Sequence, residues 1–183
     1  MDPTDLPRSR RVLLLVDVIN PMDFPEAGEL APFALEAARA TRRLRRALGA
    51  AVPTVYANDN FGQWRSDFGE LVRTVQRGRG AGAEMARVLA PRRGDITVLK
   101  PKHSAFYGSP LDILLDHIGA KEIVIAGVAT DICVQLTAAD AFLRGYRVHV
   151  PSDCTAAETE AKKATALRYM KEILRCRINP LAG

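Results

Sequence analysis

Five short apolar runs, at residues 12–16, 54–57, 96–99, 123–126 and 146–150, alternate with segments of helical periodicity. That alternation limits the chain more than any other feature, because parallel strands must be joined by crossovers long enough to hold a helix. Each run is too short and too rich in β-branched residues to be a buried helix. The helical patterns fall at residues 32–48, 83–89, 110–118, 131–144 and 157–175. Ser109-Pro110 reads as a helix cap followed by proline at the first helical position, and Gly119 and Gly145 stand where helices end. The expectation is an α/β fold with a parallel sheet of five strands and a short sixth near the C-terminus.

With 183 residues, 48% of them hydrophobic, the chain is large enough to bury a core without staples, and no linker or repeat divides it. One domain over residues 1–183 is expected, with the polar residues 1–10 loose. Cys133, Cys154 and Cys176 are widely spaced and form no C-x-x-C pair, which argues against a disulfide framework or a zinc site and for a cytoplasmic setting. No signal peptide and no membrane-length apolar stretch is visible, so a soluble protein is expected.

The formal charge of +5 owes much to Arg39, Arg42, Arg43, Arg45 and Arg46. Leu35, Ala38, Leu44, Ala47 and Leu48 run through the same segment, so the arginines are expected on the outer faces of an amphipathic helix. No nucleic-acid motif accompanies them, and neither a nucleic acid nor a membrane is expected as a partner. Gly78-Arg79-Gly80-Ala81-Gly82 lacks the final glycine of a dinucleotide fingerprint and follows no strand, so it reads as a loop or helix approach.

In an open parallel sheet, ligands bind beyond the carboxyl ends of the strands. The first run ends in Asp17, the third in Lys100-Pro101, and the fourth leads through Gly127-Val128-Ala129-Thr130-Asp131-Ile132 to Cys133. Each residue alone could be a loop cap, a surface charge or a buried thiol. Together, an acid, a cation and a thiol at three strand ends supply what a nucleophile needs. Thr130 is expected to cap the helix, and the helix start and Lys100 to favour the thiolate of Cys133, provided Asp131 points elsewhere. Asp17 would take the thiol proton, return it to a departing amine, and later activate water against the thioester. The backbone N–H groups of Ala129 and Cys133 would hold the oxyanion.

These residues resemble the isochorismatase-like cysteine hydrolases. The resemblance rests on Leu15-Val16-Asp17-Val18-Ile19-Asn20 with Asp23-Phe24, on residues 100–111 from Lys100 through Ser104-Ala105-Phe106 to Leu111, and on residues 127–134 around Cys133. Thr137-Ala138-Ala139-Asp140-Ala141, Gly145-Tyr146-Arg147-Val148 and Ser152-Asp153 extend it over nearly the whole chain. It implies a Rossmann-like, three-layer α/β/α fold and a catalytic triad at Asp17, Lys100 and Cys133. It also implies a cis peptide between Val128 and Ala129, and a homodimer or higher homo-oligomer.

Nicotinamidases of that superfamily carry a metal-binding aspartate and histidine cluster after the second strand, whereas residues 56–66 contain no histidine. The histidines, His103, His117 and His149, lie in separate segments, so neither a metal nor another cofactor is expected. The isochorismatases that cleave a vinyl ether lack the cysteine, so Cys133 points to amide chemistry. The expected substrate is a small amide, carbamoyl or ureido compound, cleaved at a C–N bond. Hydrolysis of another small ester-type bond, or a silent member that binds a metabolite or senses oxidants through Cys133, remains an alternative. Phe24, Asn60, Trp64 and Phe106 are candidates for lining the substrate pocket, with residues 58–66 as a lid or wall. Cys154 is expected to pack, and Cys176, between Arg175 and Arg177, to be partly exposed.

Overall fold

The computed structural model describes residues 6–62 and 67–180. Its strands are β1 (Arg11–Val16), β2 (Thr54–Asp59), β3 (Ile96–Lys100), β4 (Glu122–Val128), β5 (Arg147–His149) and β6 (Thr155–Ala156). All pair in parallel in the order β3-β2-β1-β4-β5, and β6 runs beside the end of β4. The chain moves outward from β1 to β3, then returns to the other side of β1 to lay down β4. The reversal falls between β1 and β4, where the loops part and open a crevice above the strand ends.

Side chains alternate across the sheet, and each face is covered by helices. Val12, Leu14, Val16, Ile123 and Ile125 face one layer, with α4 (Leu111–Ile118), α5 (Gln135–Leu143) and α6 (Glu160–Glu172). Leu13, Leu15, Tyr56, Val124 and Ala126 face the other, with α1 (Ala27–Leu48), α2 (Phe68–Arg77) and α3 (Ala81–Val88). The result is the three-layer α/β/α arrangement. Burying one such aliphatic side chain contributes about 1.5–3 kcal/mol, and the central run Val12–Val16 is at most 1% exposed. No helix among the described residues is long and apolar enough to cross a membrane.

Several local expectations are corrected. The first helix begins at Ala27, with Pro32 inside it on an exposed position, so the proline is not the helix start. α2 has no counterpart in the predicted elements. Its signal is Asp67, whose carboxylate accepts the Glu70 N–H at 2.6 Å, an N-cap with an acidic residue three positions on. Phe68, Leu71, Val72 and Val75 also stand at helical spacing and pack on the core, a second signal of this helix.

Arg45 does not decorate the outer face. It is 7% exposed, donates from Nη2 to both oxygens of Asp95 at 2.6 Å, and donates from Nη1 to the Tyr56 hydroxyl. Cys176 is buried at 4% exposure because the tail folds back beside β5, where Val150 N–H bonds Arg177 O. Cys154 is buried, as expected of a packing residue.

Candidate active site

β1 and β4 come together closely just before the site. A Cβ on Gly127 would lie 2.0 Å from the Val16 carbonyl oxygen, and the residue has φ +130, so both space and backbone require glycine. Immediately beyond Val16 the chain turns through Asp17, which has φ 52, a left-handed conformation that aspartate tolerates better than most residues. Its backbone N–H bonds Ala57 O at 3.0 Å, and its Oδ1 accepts the Asp59 N–H at 2.8 Å. Asn58 bonds Ile19 through both ends of its amide, tying the loop after β1 to β2.

Lys100 ends β3, two strands from β1, and its long side chain crosses the end of β2 to reach the site. Its ammonium lies 2.8 Å from Asp17 Oδ2, 3.9 Å from Cys133 Sγ and 4.0 Å from Asp59 Oδ2. It also donates to the Lys102 carbonyl at 3.0 Å. At 0% exposure it is entirely enclosed, and does not project freely into the loops.

The turn after β4 is not a simple capped helix. Residues Thr130–Val134 form a π-helical turn that precedes α5, and no side chain caps it. The Thr130 hydroxyl bonds Thr155 Oγ1 at 2.9 Å, and Thr155 in turn donates to Gly127 O. The expected cap is thus spent on joining the turn to β6. The peptide bond between Val128 and Ala129 is cis. Among the described residues the Ala129 N–H has no hydrogen-bond partner. The Cys133 N–H bonds nothing outside its own turn among the described residues.

Cys133 is partly exposed above two buried charges. Burial raises its thiol well above the usual range, the Asp17 charge pushes the same way, and Lys100 only partly opposes them. The surroundings thus favour the thiol over the thiolate more than the turn and Lys100 alone would suggest. Burial likewise raises the Asp17 carboxyl, against the opposing charge of Lys100 and its hydrogen bonds. Asp131 contributes nothing notable to the thiol. It faces α6, lining a cavity with Lys162 and Tyr169, and its Oδ1 is buried without a partner among the described residues.

The structure brings together Asp17, Lys100, Cys133 and Ala129. Asn60 is buried nearby, with its N–H on Lys100 O and its side-chain oxygen accepting from Gly62 N–H. Phe24 is half-buried against the layer of α1. Phe106 is only 5% exposed, packed beside Tyr146 and under the Arg144 guanidinium, so it is a core residue and not a pocket wall. Trp64 lies outside the described residues, as do residues 63–66 of the proposed lid.

Two neighbours of the site escape the sequence reading. Asp59 ends β2 as Asp17 follows β1, and that position is the signal that marks it. His103 places Nδ1 3.6 Å from the Cys133 sulfur, from a loop with no local sign of the contact. Among the described residues no group of three His, Cys, Asp or Glu side chains is arranged to hold a metal ion.

The chain is similar to known proteins. An isochorismatase domain matches residues 11–177. An uncharacterised isochorismatase family protein of Bacillus subtilis, YaaI, is 32% identical over 168 residues, covering 91% of this chain and 92% of its own length. The ureidoacrylate amidohydrolase RutB of Methylorubrum extorquens is 42% identical over 67 residues, covering 37% of this chain and 27% of its own. The crystal structure of N-carbamoylsarcosine amidase from Thermoplasma acidophilum superposes with a TM-score of 0.70 at 27% identity, covering 96% of this chain and all of that one. The match over nearly the full length, with the triad residues at the strand ends, means that the chain belongs to the isochorismatase family of hydrolases.

Proposed function

We propose that the protein is a cysteine amidohydrolase that cleaves a C–N bond of a small amide, carbamoyl or ureido compound through a thioester at Cys133. The observation that carries this is the ammonium of Lys100 in reach of both the Asp17 carboxylate and the Cys133 sulfur, with only the sulfur open to an incoming molecule. Asp17 accepts the thiol proton as the sulfur attacks, so that a nucleophile forms only when an electrophile is present. Lys100 holds the charge of Asp17 before the transfer and that of the sulfur after it. The Ala129 and Cys133 N–H groups receive the oxyanion. The amidohydrolase and amidase named among the relatives support the C–N bond as the one cleaved.

A role as an oxidant sensor is less well supported, because a sensing thiol has no need of the enclosed carboxylate and ammonium that stand beside Cys133. The test is a panel of small amides and ureides assayed for ammonia release, with mass spectrometry for an acyl adduct. Turnover of at least one member, with an adduct on Cys133 and loss of both in Cys133→Ala, is the expected result. No turnover by any member, with no adduct, rejects the reading.

A further inference from the structure

We propose that His103 is a second acid–base residue of this site, serving the leaving amine and the hydrolytic water while Asp17 serves the sulfur alone. This rests on the reading of Cys133 as an acyl-forming nucleophile. The His103 ring is exposed and meets the sulfur at 3.6 Å through Nδ1, whereas Asp17 and Lys100 meet it from the buried side. Asp17 is already committed. Its oxygens hold the Lys100 ammonium and the Asp59 N–H, and the substrate enters on the far side of the sulfur. A group bonded to the carbon under attack lies within hydrogen-bond reach of a ring already touching the attacking atom.

The loop carrying His103 is fixed to the elements that carry the nucleophile. Lys102 O accepts from Lys100, the Ser104 hydroxyl donates to Asp140 on α5, and the Ala105 N–H donates to Thr137 on the same helix. Cys133 lies in the turn that runs directly into α5. The histidine is therefore held in place between backbone fixed on one side by the catalytic lysine and on the other by the nucleophile's own helix. The charged and titratable groups facing it are Lys100, Asp17 and Asp59 across the sulfur, Lys102 and Tyr107 on its own loop, and Asp140 from α5. The same ring lines a cavity of about 440 Å³ with Leu136 and Leu143.

The proton balance closes with two separate cycles. In acylation the S–H proton passes to Asp17, the sulfur bonds the carbonyl carbon, and the C–N bond breaks as the nitrogen takes a proton from the His103 imidazolium. In deacylation water attacks the thioester and gives its proton to the neutral His103. The C–S bond then breaks, and the sulfur takes back the proton held on Asp17. Amide and water go in, acid and amine come out, and each residue returns to its starting state.

Leaving-group dependence tests this on the purified full chain. An amine must be protonated to depart, whereas p-nitrophenolate need not be. For His103→Gln, kcat/KM on the amide hydrolysed best by wild type should fall about 100-fold or more, and its pH profile should lose one ionisation. The p-nitrophenolate burst from p-nitrophenyl acetate, which reports acylation of Cys133, should stay within a few-fold of wild type. Parallel loss of amide turnover and burst would mean that His103 only shapes the site, and retained amide turnover would mean that it has no role; either overturns the proposal. If wild type itself gives no acyl adduct on Cys133, the amidohydrolase reading falls first and takes this one with it.

Discussion

The Lys100 ammonium lies 2.8 Å from an Asp17 carboxylate oxygen, with the lysine 0% and the aspartate 6% exposed. Two enclosed opposite charges beside a thiol set its proton affinity in opposite directions, and burial with Asp17 outweighs Lys100. Alkylation of Cys133 by iodoacetamide should therefore keep rising through pH 9 without a plateau. In Asp17→Asn the charge that raises the thiol is gone while Lys100 remains, so the alkylation profile should move to lower pH as amide turnover falls about 1000-fold. A profile that moved upward would contradict this arrangement.

Arg45 and Asp95 form an enclosed pair whose side chains are 7% and 9% exposed. Removing one partner strands the other charge away from water. Asp95→Ala should lower the unfolding free energy by about 3–5 kcal/mol, measured by urea denaturation. A loss comparable to that of a surface ion pair would show that water reaches the guanidinium.

Gly127→Ala would place a methyl group 2.0 Å from the Val16 carbonyl oxygen, and that neighbour is backbone in the middle of a sheet. A destabilisation of roughly 3 kcal/mol or more is expected. Because the clash lies beside Asp17, iodoacetamide reactivity at Cys133 should change with it. Circular dichroism melting and alkylation on the same samples decide the matter.

His149 is 1% exposed, with Nε2 2.7 Å from the Asn179 carbonyl and Nδ1 without a partner among the described residues. Burial lowers its proton affinity below that of an unfolded histidine, despite the carbonyl bond that opposes it. The folded state thus binds fewer protons than the unfolded one as pH falls below about 6.5. Stability present above that pH should decline on acidification until the folded group itself protonates. Melting temperatures of wild type should fall from pH 7 to pH 5 more steeply than those of His149→Asn, and equal slopes would exclude His149 as a source.

The parallel sheet was readable because short β-branched runs and the helical patterns between them are local properties. Asp17, Lys100 and Cys133 were readable for a related reason, since each follows such a run and the strand ends of one sheet must converge. What escaped depends on contacts that leave no periodic trace. Nothing near Arg45 signals an aspartate on a loop 50 residues away. Nothing near His103 signals a sulfur 30 residues later. The raised proton affinity of the thiol was also unreadable, because it turns first on how deeply the sulfur itself is buried and then on the charges beside it. Thr130 has the sequence of a cap, yet its hydroxyl is claimed by Thr155 on a strand of two residues.

The acid, the cation and the thiol come from the ends of β1, β3 and β4, and no stretch of chain carries any two of them side by side. The reactive centre consequently exists only while the sheet is assembled. A peptide containing Cys133, or a chain nicked and separated between these strands, holds an ordinary thiol with ordinary reagent kinetics. The slowed response of that one sulfur to an alkylating reagent near neutral pH is thus an internal gauge of folded protein, lost when the strands part.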